Sequence, residues 1–196
     1  MPFTLIRFQR TTSTQIWVRD WARLGAKEGL AVQALEQTAG RGRLRRDWQS
    51  PYKKGLYISV LLRPAIPLIQ ANRLTMLVSL AAMDACQAVT TVTPVPKWPN
   101  DLLLHGRKLA GVLTELENQG DQLDYAVIGL GLNVNTDFMG TPLAEIAVIL
   151  QQATGHSVTL SVLRDAYLDA LERRYQRFLS GESPLSAWKA QLEPLG

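Results

Sequence analysis

The sequence of 196 residues contains little of the chemistry that marks several large classes of protein. Cys86 is its single cysteine, and His105 and His156 are its two histidines. One cysteine excludes an internal disulfide framework. The pairs Cys-x-x-Cys and His-x-x-x-His, which would build a zinc site, are missing. Gly-x-Ser-x-Gly is missing too, so a Ser-His-Asp hydrolase is not expected.

Long apolar runs are also missing. No stretch approaches the roughly 18 apolar residues of a membrane span, and the first residues lack the basic region and apolar stretch of a signal peptide. We therefore expect a cytoplasmic protein that does not insert into a membrane. The phosphate loop Gly-x-x-x-x-Gly-Lys-Ser/Thr is absent, as is Gly-x-Gly-x-x-Gly before a helix. Any nucleotide chemistry must use another loop, because the glycines of Gly129-Leu-Gly-Leu-Asn133 fall late in a strand, where close backbone packing is the simpler interpretation.

What is present predicts a packed domain, since 46% of the residues are hydrophobic and 19% are charged. Apolar periodicity, capping residues and turn residues predict alternating strands and helices. Strands are expected at 30–35, 56–62, 92–97, 102–104, 108–116 and 123–134, and helices after Ser13 and at 70–90, 143–154, 160–178 and 185–192. The consecutive hairpins favour an α+β fold with a mixed, largely antiparallel sheet covered by helices. Cys86 falls on the apolar side of the 70–90 helix, so we assign it to core packing.

The formal net charge is +4, and much of the positive charge lies between residues 41 and 54. The basic residues of this run are Arg41, Arg43, Arg45, Arg46, Lys53 and Lys54. Three interpretations stay open for it, namely a solvated surface loop, a loop that handles phosphate and a nucleic-acid patch.

The segment from Gln37 to Trp48 alternates glycine with arginine. Glycine permits the unusual backbone angles of an anion-binding nest, and arginine adds charge-assisted contacts to phosphate. A triphosphate or an adenylate would suit such a loop. An arginine–glycine tract that binds RNA has a similar composition, but the flanking glutamine and tryptophan favour an ordered loop.

A second segment, from Lys97 to Glu115, places Lys108 in an apolar strand seven residues after Asp101. A lysine among Leu109, Ala110 and Val112 requires an anionic partner to offset its desolvation. That partner can be Asp101 or the carboxylate or phosphate of a ligand. The alternative is a lysine at a hairpin edge with its ammonium group in water.

Five groups of residues, in this order, resemble the biotin–protein ligase family. The matching residues are Ser13-Thr14, which taken alone read as a helix cap, Gly40-Arg-Gly-Arg43 with Arg46 and Trp48, Lys97-Trp-Pro-Asn-Asp101, Lys108-Leu-Ala-Gly-Val-Leu113 and Gly129-Leu-Gly-Leu-Asn133. The resemblance extends from about residue 11 to residue 190. It implies a class II synthetase-like catalytic domain that converts biotin and MgATP to biotinyl-adenylate and pyrophosphate, and then passes biotin to a lysine of the biotin carboxyl carrier protein of acetyl-CoA carboxylase.

The resemblance also implies roles for individual residues. Catalytic roles fall on Lys108 and Arg43, with Asp101 a weaker candidate for guiding Mg²⁺ or the incoming lysine; no protein-built metal site is expected. Contacts to biotin are implied for Ser13, Thr14, Gln15, Gln37, Gly40, Arg41, Gly42, Arg43, Lys108 and Gly111. Contacts to the nucleotide are implied for Arg43, Arg46, Trp48, Asn100, Lys108 and Asn133.

The sequence departs from the family in two places. Many relatives have asparagine where this chain has Gln15, which leaves the contact of that side chain open. Relatives usually continue into a small C-terminal β-barrel, whereas this chain ends at Leu195-Gly196, so the barrel is expected to be absent or truncated.

Two other functions remain as alternatives. A lipoate or octanoate ligase or transferase shares the fold but needs no partners for a ureido ring. The alternative from another class is a nucleic-acid-binding module that uses the basic loop, or a biotin-responsive repressor. The twelve residues before Ser13 are too few for a helix-turn-helix domain, so no DNA partner is expected. Whether the chain forms a homodimer is left open.

Overall fold

The computed structural model describes residues 2–192 of the chain. Its seven strands form one sheet in the order β1-β2-β3-β7-β6-β5-β4. The strands are β1 Thr4–Phe8, β2 Leu30–Ala34, β3 Gly55–Leu62, β4 Val95–Lys97, β5 Asp101–Leu104, β6 Arg107–Gln119 and β7 Gln122–Asn133. The helices are α1 Thr14–Arg23, α2 Asn72–Thr90, α3 Leu150–Thr154, α4 Leu160–Leu179 and α5 Leu185–Lys189. Only β1 and β2 pair in parallel; each other neighbouring pair is antiparallel, which confirms the predicted mixed sheet.

The two faces of the sheet are covered by different helices because side chains alternate along each strand. On β3, Val60 and Leu62 point into the main core beneath α2 and α4. Leu61 points the other way and packs with Val18 of α1 and Val127. Helices α2 and α4 are further joined by a bidentate ion pair in which Arg174 Nε and Nη2 lie 2.6 and 2.7 Å from the Asp84 carboxylate oxygens. Among the helices of residues 2–192, none combines the length and apolarity that crossing a membrane requires.

Several predicted boundaries are wrong for identifiable reasons. Strand β4 covers only Val95–Lys97, since Pro94 and Pro96 lack the N–H that a ladder needs and Pro96 is tolerated at the sheet edge. The helix expected at 143–154 forms only from Leu150. Strand β1 was not predicted at all; its residues are half-buried or exposed, as is common for an edge strand.

The segment before α3 is non-helical because it pairs with the start of β6. Lys108 N donates to Ile146 O at 2.8 Å, and Val148 N donates to Lys108 O at 3.0 Å. Phe138, Ala147 and Ile149 pack together as a small separate cluster. Strand pairing and local burial therefore outweigh the helical spacing of the apolar residues.

Cys86 is fully buried in the main core, and burial raises the pKa of its thiol to about 12. We expect the native protein to resist alkylation by iodoacetamide at neutral pH, because both access and thiolate formation are suppressed. Mass spectrometry before and after denaturation checks this. Labelling of the native protein at the rate of the denatured protein would show that the thiol is not held in the core.

The expectation about a missing C-terminal barrel concerns the end of the chain at Leu195-Gly196, which lies outside the described residues.

Candidate functional site

A cavity of about 760 Å³ opens on the face of the sheet that carries α1. Its floor forms where glycines replace side chains on this face, at Gly111, Gly129 and Gly131. Gly111 and Gly131 are directly opposite each other in the β6–β7 pairing. Its walls are the start of α1, the 37–49 loop, the 97–101 corner and the segment 133–147.

Fourteen of the fifteen residues predicted for the site line this cavity, while Gly40 does not. The lining members are Ser13, Thr14, Gln15, Gln37, Arg41, Gly42, Arg43, Arg46, Trp48, Asn100, Asp101, Lys108, Gly111 and Asn133. Gly40 is buried behind the loop, where a Cβ would lie 2.4 Å from Trp48 O. Gly40 therefore supports the loop from behind. Because it does not line the cavity, the structure does not place it where it was predicted to contact biotin.

Lys108 reaches the cavity because of an irregularity in its strand. The β5–β6 register shifts so that Leu102 faces Ala110 while Leu103 faces Lys108, which leaves Leu109 as an extra residue. Leu109 and Ala110 both enter the main core. The bulge therefore turns Lys108 onto the cavity face, whereas strict alternation from Gly111 would point it into the core.

At the cavity, the Lys108 ammonium group has two neighbours. Its Nζ lies 2.7 Å from Asp101 Oδ1 and 5.4 Å from the centroid of the Trp48 ring. The Lys108 side chain is 37% exposed, so it is neither in the core nor free in water. The structure thus pairs Lys108 with one of the partners considered from the sequence, and this end of the cavity holds an accessible positive charge.

Trp48 lies flat over the glycines of the floor. A Cβ at residue 131 would lie 2.4 Å from its Cε2 atom, and one at residue 111 would lie 3.1 Å from its Cζ3 atom. The indole N–H has no hydrogen-bond partner within residues 2–192. Trp48 therefore gives the cavity an apolar surface above Gly111 and Gly131, and its unpaired N–H is buried against the floor.

The arginine loop is a small hairpin that crosses the mouth of the cavity. Gly42 N donates to Arg46 O at 2.7 Å, and Trp48 N donates to Gly40 O at 2.9 Å. At its tip Leu44 and Arg45 have positive φ angles of 56° and 59°. The prediction that glycines supply the unusual angles is wrong here, because Gly42 is extended and the left-handed positions fall on larger residues.

Arg43 ties this hairpin to the opposite wall. Its Nη1 donates to Asn100 Oδ1 at 3.2 Å, and Asn100 Nδ2 donates in turn to Val112 O at 2.8 Å. Asn133 lies nearby, with its Nδ2 donating to Lys108 O at 3.3 Å. The arginine loop therefore closes against the corner next to Lys108.

The other end of the cavity is polar and buried. Ser13 begins α1 but makes no side-chain capping bond within the described residues, so the predicted capping role is wrong. Its hydroxyl instead lines the cavity. Thr14 N donates to Gln37 Oε1 at 2.8 Å, and Gln37 Nε2 donates to Ser50 Oγ at 3.0 Å. These contacts fix the Gln37 amide at this end of the cavity.

Gln15, whose contact was left open, is bonded entirely within the protein. Its Nε2 donates to Leu113 O at 3.2 Å and to Val127 O at 3.0 Å, and its Oε1 accepts from Ser59 Oγ at 2.9 Å. Ser59 was not predicted as a site residue, although it is the one polar side chain in the apolar run of β3. The lining residues between 138 and 147 were also missed, among them Phe138 and Glu145.

The strand register orders these groups along the cavity. The polar end lies level with Leu113 and Gly129, and Trp48 lies level with Gly111 and Gly131. Two residues of β6 separate the levels, which is about 7 Å. Lys108 Nζ would be 3.5 Å from a Cβ at residue 111, so the cation lies at the same level as Trp48, and the polar end lies at the other level. The cavity thus suits a ligand with a polar head at one end and an anionic group at the other.

Among residues 2–192 no group of three or more His, Cys, Asp or Glu side chains is arranged to hold a metal ion. The cationic side chains that line the cavity are Arg41, Arg43, Arg46, Lys97 and Lys108, and the acidic ones are Asp47, Asp101 and Glu145. The excess of positive charge favours an anionic ligand such as a nucleoside triphosphate.

Comparison with known proteins gives consistent results. Residues 5–133 match the Biotin/lipoate A/B protein ligase family. The chain is 35% identical to the bifunctional ligase/repressor BirA of Bacillus subtilis over 196 residues, which covers 98% of this chain and 60% of that protein. It is 34% identical over 173 residues to the biotin–[acetyl-CoA-carboxylase] ligase of Paracoccus denitrificans, covering 84% of this chain and 65% of that one.

The solved structure of the biotin protein ligase from Aquifex aeolicus in complex with biotin and ATP has the same fold. Its TM-score with this chain is 0.83 at 29% sequence identity, and the match covers 98% of this chain and 80% of that one. The chain spans less than two thirds of the length of the two relatives compared by sequence.

Proposed function

Because the chain belongs to the biotin/lipoate A/B protein ligase family, we propose that it activates biotin with ATP and transfers it to a lysine of a carrier domain. The observation that carries this proposal is the separation of two ends along one cavity, a buried polar end and an end where the Lys108 cation lies beside the apolar surface of Trp48. Biotin has a ureido ring at one end and, across an apolar ring and chain, a carboxylate at the other.

At the polar end, Ser13, Thr14 and Gln37 would contact the ureido ring. A urea offers two N–H donors and one carbonyl acceptor, and these three side chains offer hydroxyl and amide groups in a pocket that is otherwise apolar. Trp48 and the floor glycines would enclose the rest of the ligand. A lipoyl or fatty acyl chain would leave the polar end unpaired, which disfavours the lipoate or octanoate alternative.

In the first step, a biotin carboxylate oxygen attacks the α-phosphorus of ATP and pyrophosphate leaves. Lys108 would hold the carboxylate and the α-phosphate together and stabilise the charge that builds up on the phosphoryl oxygens. Arg43 would contact the same phosphate, and Arg46, Trp48, Asn100 and Asn133 would contact the nucleotide. Mg²⁺ would enter bound to ATP and would neutralise part of the charge on its phosphates.

In the second step, the carrier lysine attacks the acyl carbon of the adenylate. An amide forms, AMP leaves, and the attacking neutral amine loses one proton to solvent. Asp101 lies beside Lys108. It would guide the metal or the incoming lysine, and it is a weaker candidate for a catalytic role than Lys108 and Arg43.

Transfer to a carrier domain tests the proposal. The protein is incubated with biotin, MgATP and the biotin carboxyl carrier domain of acetyl-CoA carboxylase, and the products are probed with streptavidin. We expect label on the carrier and none on a carrier whose target lysine is replaced by arginine. Modification of a lipoyl domain with lipoate, with no labelling of the biotin carrier, would favour the alternative.

A DNA partner is not part of the proposal. The name of the Bacillus subtilis relative includes a repressor function, which belongs to that protein. Whether this chain binds DNA is tested by a gel shift with duplex DNA across a range of salt concentrations. A salt-resistant, sequence-dependent shift would contradict the proposal of no DNA partner.

The arginine loop should respond to ligands. Like charges repel, and the exposed Arg41, Arg45 and Arg46 make no ion pair among residues 2–192, so the ligand-free loop should open readily. We expect trypsin to cleave at these arginines in the free protein and more slowly once biotin and MgATP are added. Equal cleavage with and without ligands would show that the loop does not close over them.

A further inference from the structure

Three large apolar side chains stand in solvent around the mouth of the cavity. Leu44, Trp98 and Ile146 are 81%, 68% and 62% exposed. They belong to three different walls, since Leu44 is at the tip of the arginine loop, Trp98 is in the 97–101 corner and Ile146 is in the segment 133–147. Single exposed apolar residues are common, but three of them around one opening mark a contact surface. We call Leu44, Trp98 and Ile146 the mouth rim.

Leu44 is unfavourable in both its backbone and its exposure. Its φ of 56° and ψ of 33° lie in the left-handed region, which leucine rarely adopts. Asparagine or glycine would fit these angles better and would not place an apolar side chain in water. Strained backbone of this kind is concentrated at functional sites, so we expect the Leu44 side chain to contact another molecule.

The mouth rim is complete only while the arginine loop is closed. Arg43, which precedes Leu44, donates through Nη1 to Asn100 Oδ1 at 3.2 Å, and Asn100 is two residues from Trp98. This bond holds the tip of the hairpin against the corner. On the third side, Ile146 O accepts from the backbone N–H of β6 at 2.8 Å, which fixes Ile146 to the sheet. An open loop would therefore carry Leu44 away from the other two residues.

The surroundings of the mouth rim are basic. The arginine loop carries four arginines between residues 41 and 46, and Lys97 directly precedes Trp98. Three acidic side chains line the same cavity, and one of them, Asp101, is already paired with Lys108. A protein whose contact face combines apolar and acidic side chains therefore complements this surface.

We infer that Leu44, Trp98 and Ile146 form the docking surface for the carrier domain, and that closure of the arginine loop assembles this surface. The inference rests on the proposed function, in which a protein lysine must reach the acyl carbon beside Lys108 through this opening. The matching face of the carrier has apolar and acidic side chains around the target lysine. Docking then follows activation, because the closure that covers the adenylate also builds the surface that receives the carrier.

Trp98→Gln and Leu44→Asn test the docking surface. Asparagine tolerates the left-handed φ of position 44, so this substitution removes the apolar side chain without adding backbone strain. We expect kcat/KM for the carrier domain to fall about tenfold or more in each variant, the value of burying one large apolar side chain. Adenylate formation and biotin transfer to the small amine Nα-acetyl-lysine should keep their rates, because neither needs a docked protein.

Leu24→Asn is the matched control for Leu44→Asn. Leu24 is 83% exposed, close to the exposure of Leu44, but it follows the last residue of α1 and does not line the cavity. This variant should keep the wild-type kcat/KM for the carrier. Leu44→Asn carries the test by itself if Trp98→Gln does not fold.

The order of events is tested by binding. A carrier domain whose target lysine is replaced by arginine does not accept biotin, so its affinity can be measured with and without biotin and MgATP. The wild type should bind it about tenfold more tightly with both ligands present, since only then is the mouth rim complete, and Trp98→Gln should remove most of this gain. High salt should weaken the binding, because it screens the attraction between the basic surface and an acidic partner. Equal affinity with and without ligands would overturn the claim that closure assembles the surface.

An unchanged kcat/KM for the carrier in both folded variants would overturn the inference and leave the proposed function intact. Equal losses in transfer to the carrier and to Nα-acetyl-lysine would also overturn it, because the residues would then act on the chemistry. A change in sedimentation from dimer to monomer with unchanged carrier kinetics would show instead that the mouth rim joins two copies of this chain. If the wild type labels no carrier, the proposed function itself is wrong, and that measurement alone separates the two failures.

Discussion

Replacing Lys108 by alanine is expected to slow adenylate formation on the order of 100-fold or more. The ammonium group is the cation at the end of the cavity that would take the ligand's anionic group, 2.7 Å from Asp101 and partly accessible. A charge that contacts the carboxylate and the α-phosphate as the new bond forms stabilises the transition state more than the ground state, so kcat should fall more than KM rises. Single-turnover formation of labelled adenylate from biotin and ATP measures this directly.

Lys189→Ala controls for the loss of a positive charge, because Lys189 is exposed on α5 and does not line the cavity. Circular dichroism and thermal unfolding of both variants establish that they fold. If folded Lys108→Ala forms the adenylate at nearly the wild-type rate, the Lys108–Asp101 pair serves only the structure.

Replacing Arg43 by glycine is expected to leave activation of biotin possible but to release the adenylate. The Arg43 guanidinium bonds to Asn100 across the mouth and would pair with the adenylate phosphate. Loss of one charge-assisted bond weakens retention by about 1.5–3 kcal/mol, or about 10- to 150-fold faster escape. Because the adenylate is a mixed anhydride that reacts with any amine, serum albumin mixed with the variant, biotin and MgATP should be biotinylated. A streptavidin blot reads this out.

Arg45→Gly is the control within the same hairpin. Arg45 does not line the cavity, and its positive φ is compatible with glycine, so this variant should label albumin no more than the wild type does. If Arg43→Gly makes adenylate but also labels albumin no more than the wild type, Arg43 does not retain the intermediate.

Much of the architecture is predictable from the sequence because the strands and helices have clear periodicity and their turns carry glycine, asparagine or aspartate. The failures come where long-range pairing competes with local preference. The apolar residues of segment 143–149 have helical spacing. The backbone of this segment nevertheless pairs with Lys108 of β6, which lies more than 30 residues earlier in the sequence. Strand β1 forms only because β2 offers it a parallel partner.

For the site, the sequence motifs predicted which residues come together, but they did not predict how the side chains are arranged. Alternation from Gly111 would place Lys108 in the core, and only the bulge at Leu109 turns it into the cavity. Ser59 could have been noticed as a lone polar residue in a buried strand. Its partner Gln15 lies 44 residues away in the sequence, and nothing local in either segment predicts that the two side chains meet.

Formation of biotinyl-adenylate tests the central claim most directly. The protein is incubated with Mg²⁺, ATP labelled at the α-phosphate and, in parallel, biotin, lipoate or octanoate, and the products are separated by chromatography. The account predicts a labelled adenylate with biotin and little or none with lipoate or octanoate, since only biotin can pair with the polar end formed by Ser13, Thr14 and Gln37. No adenylate with biotin, or faster formation with lipoate or octanoate, would contradict it.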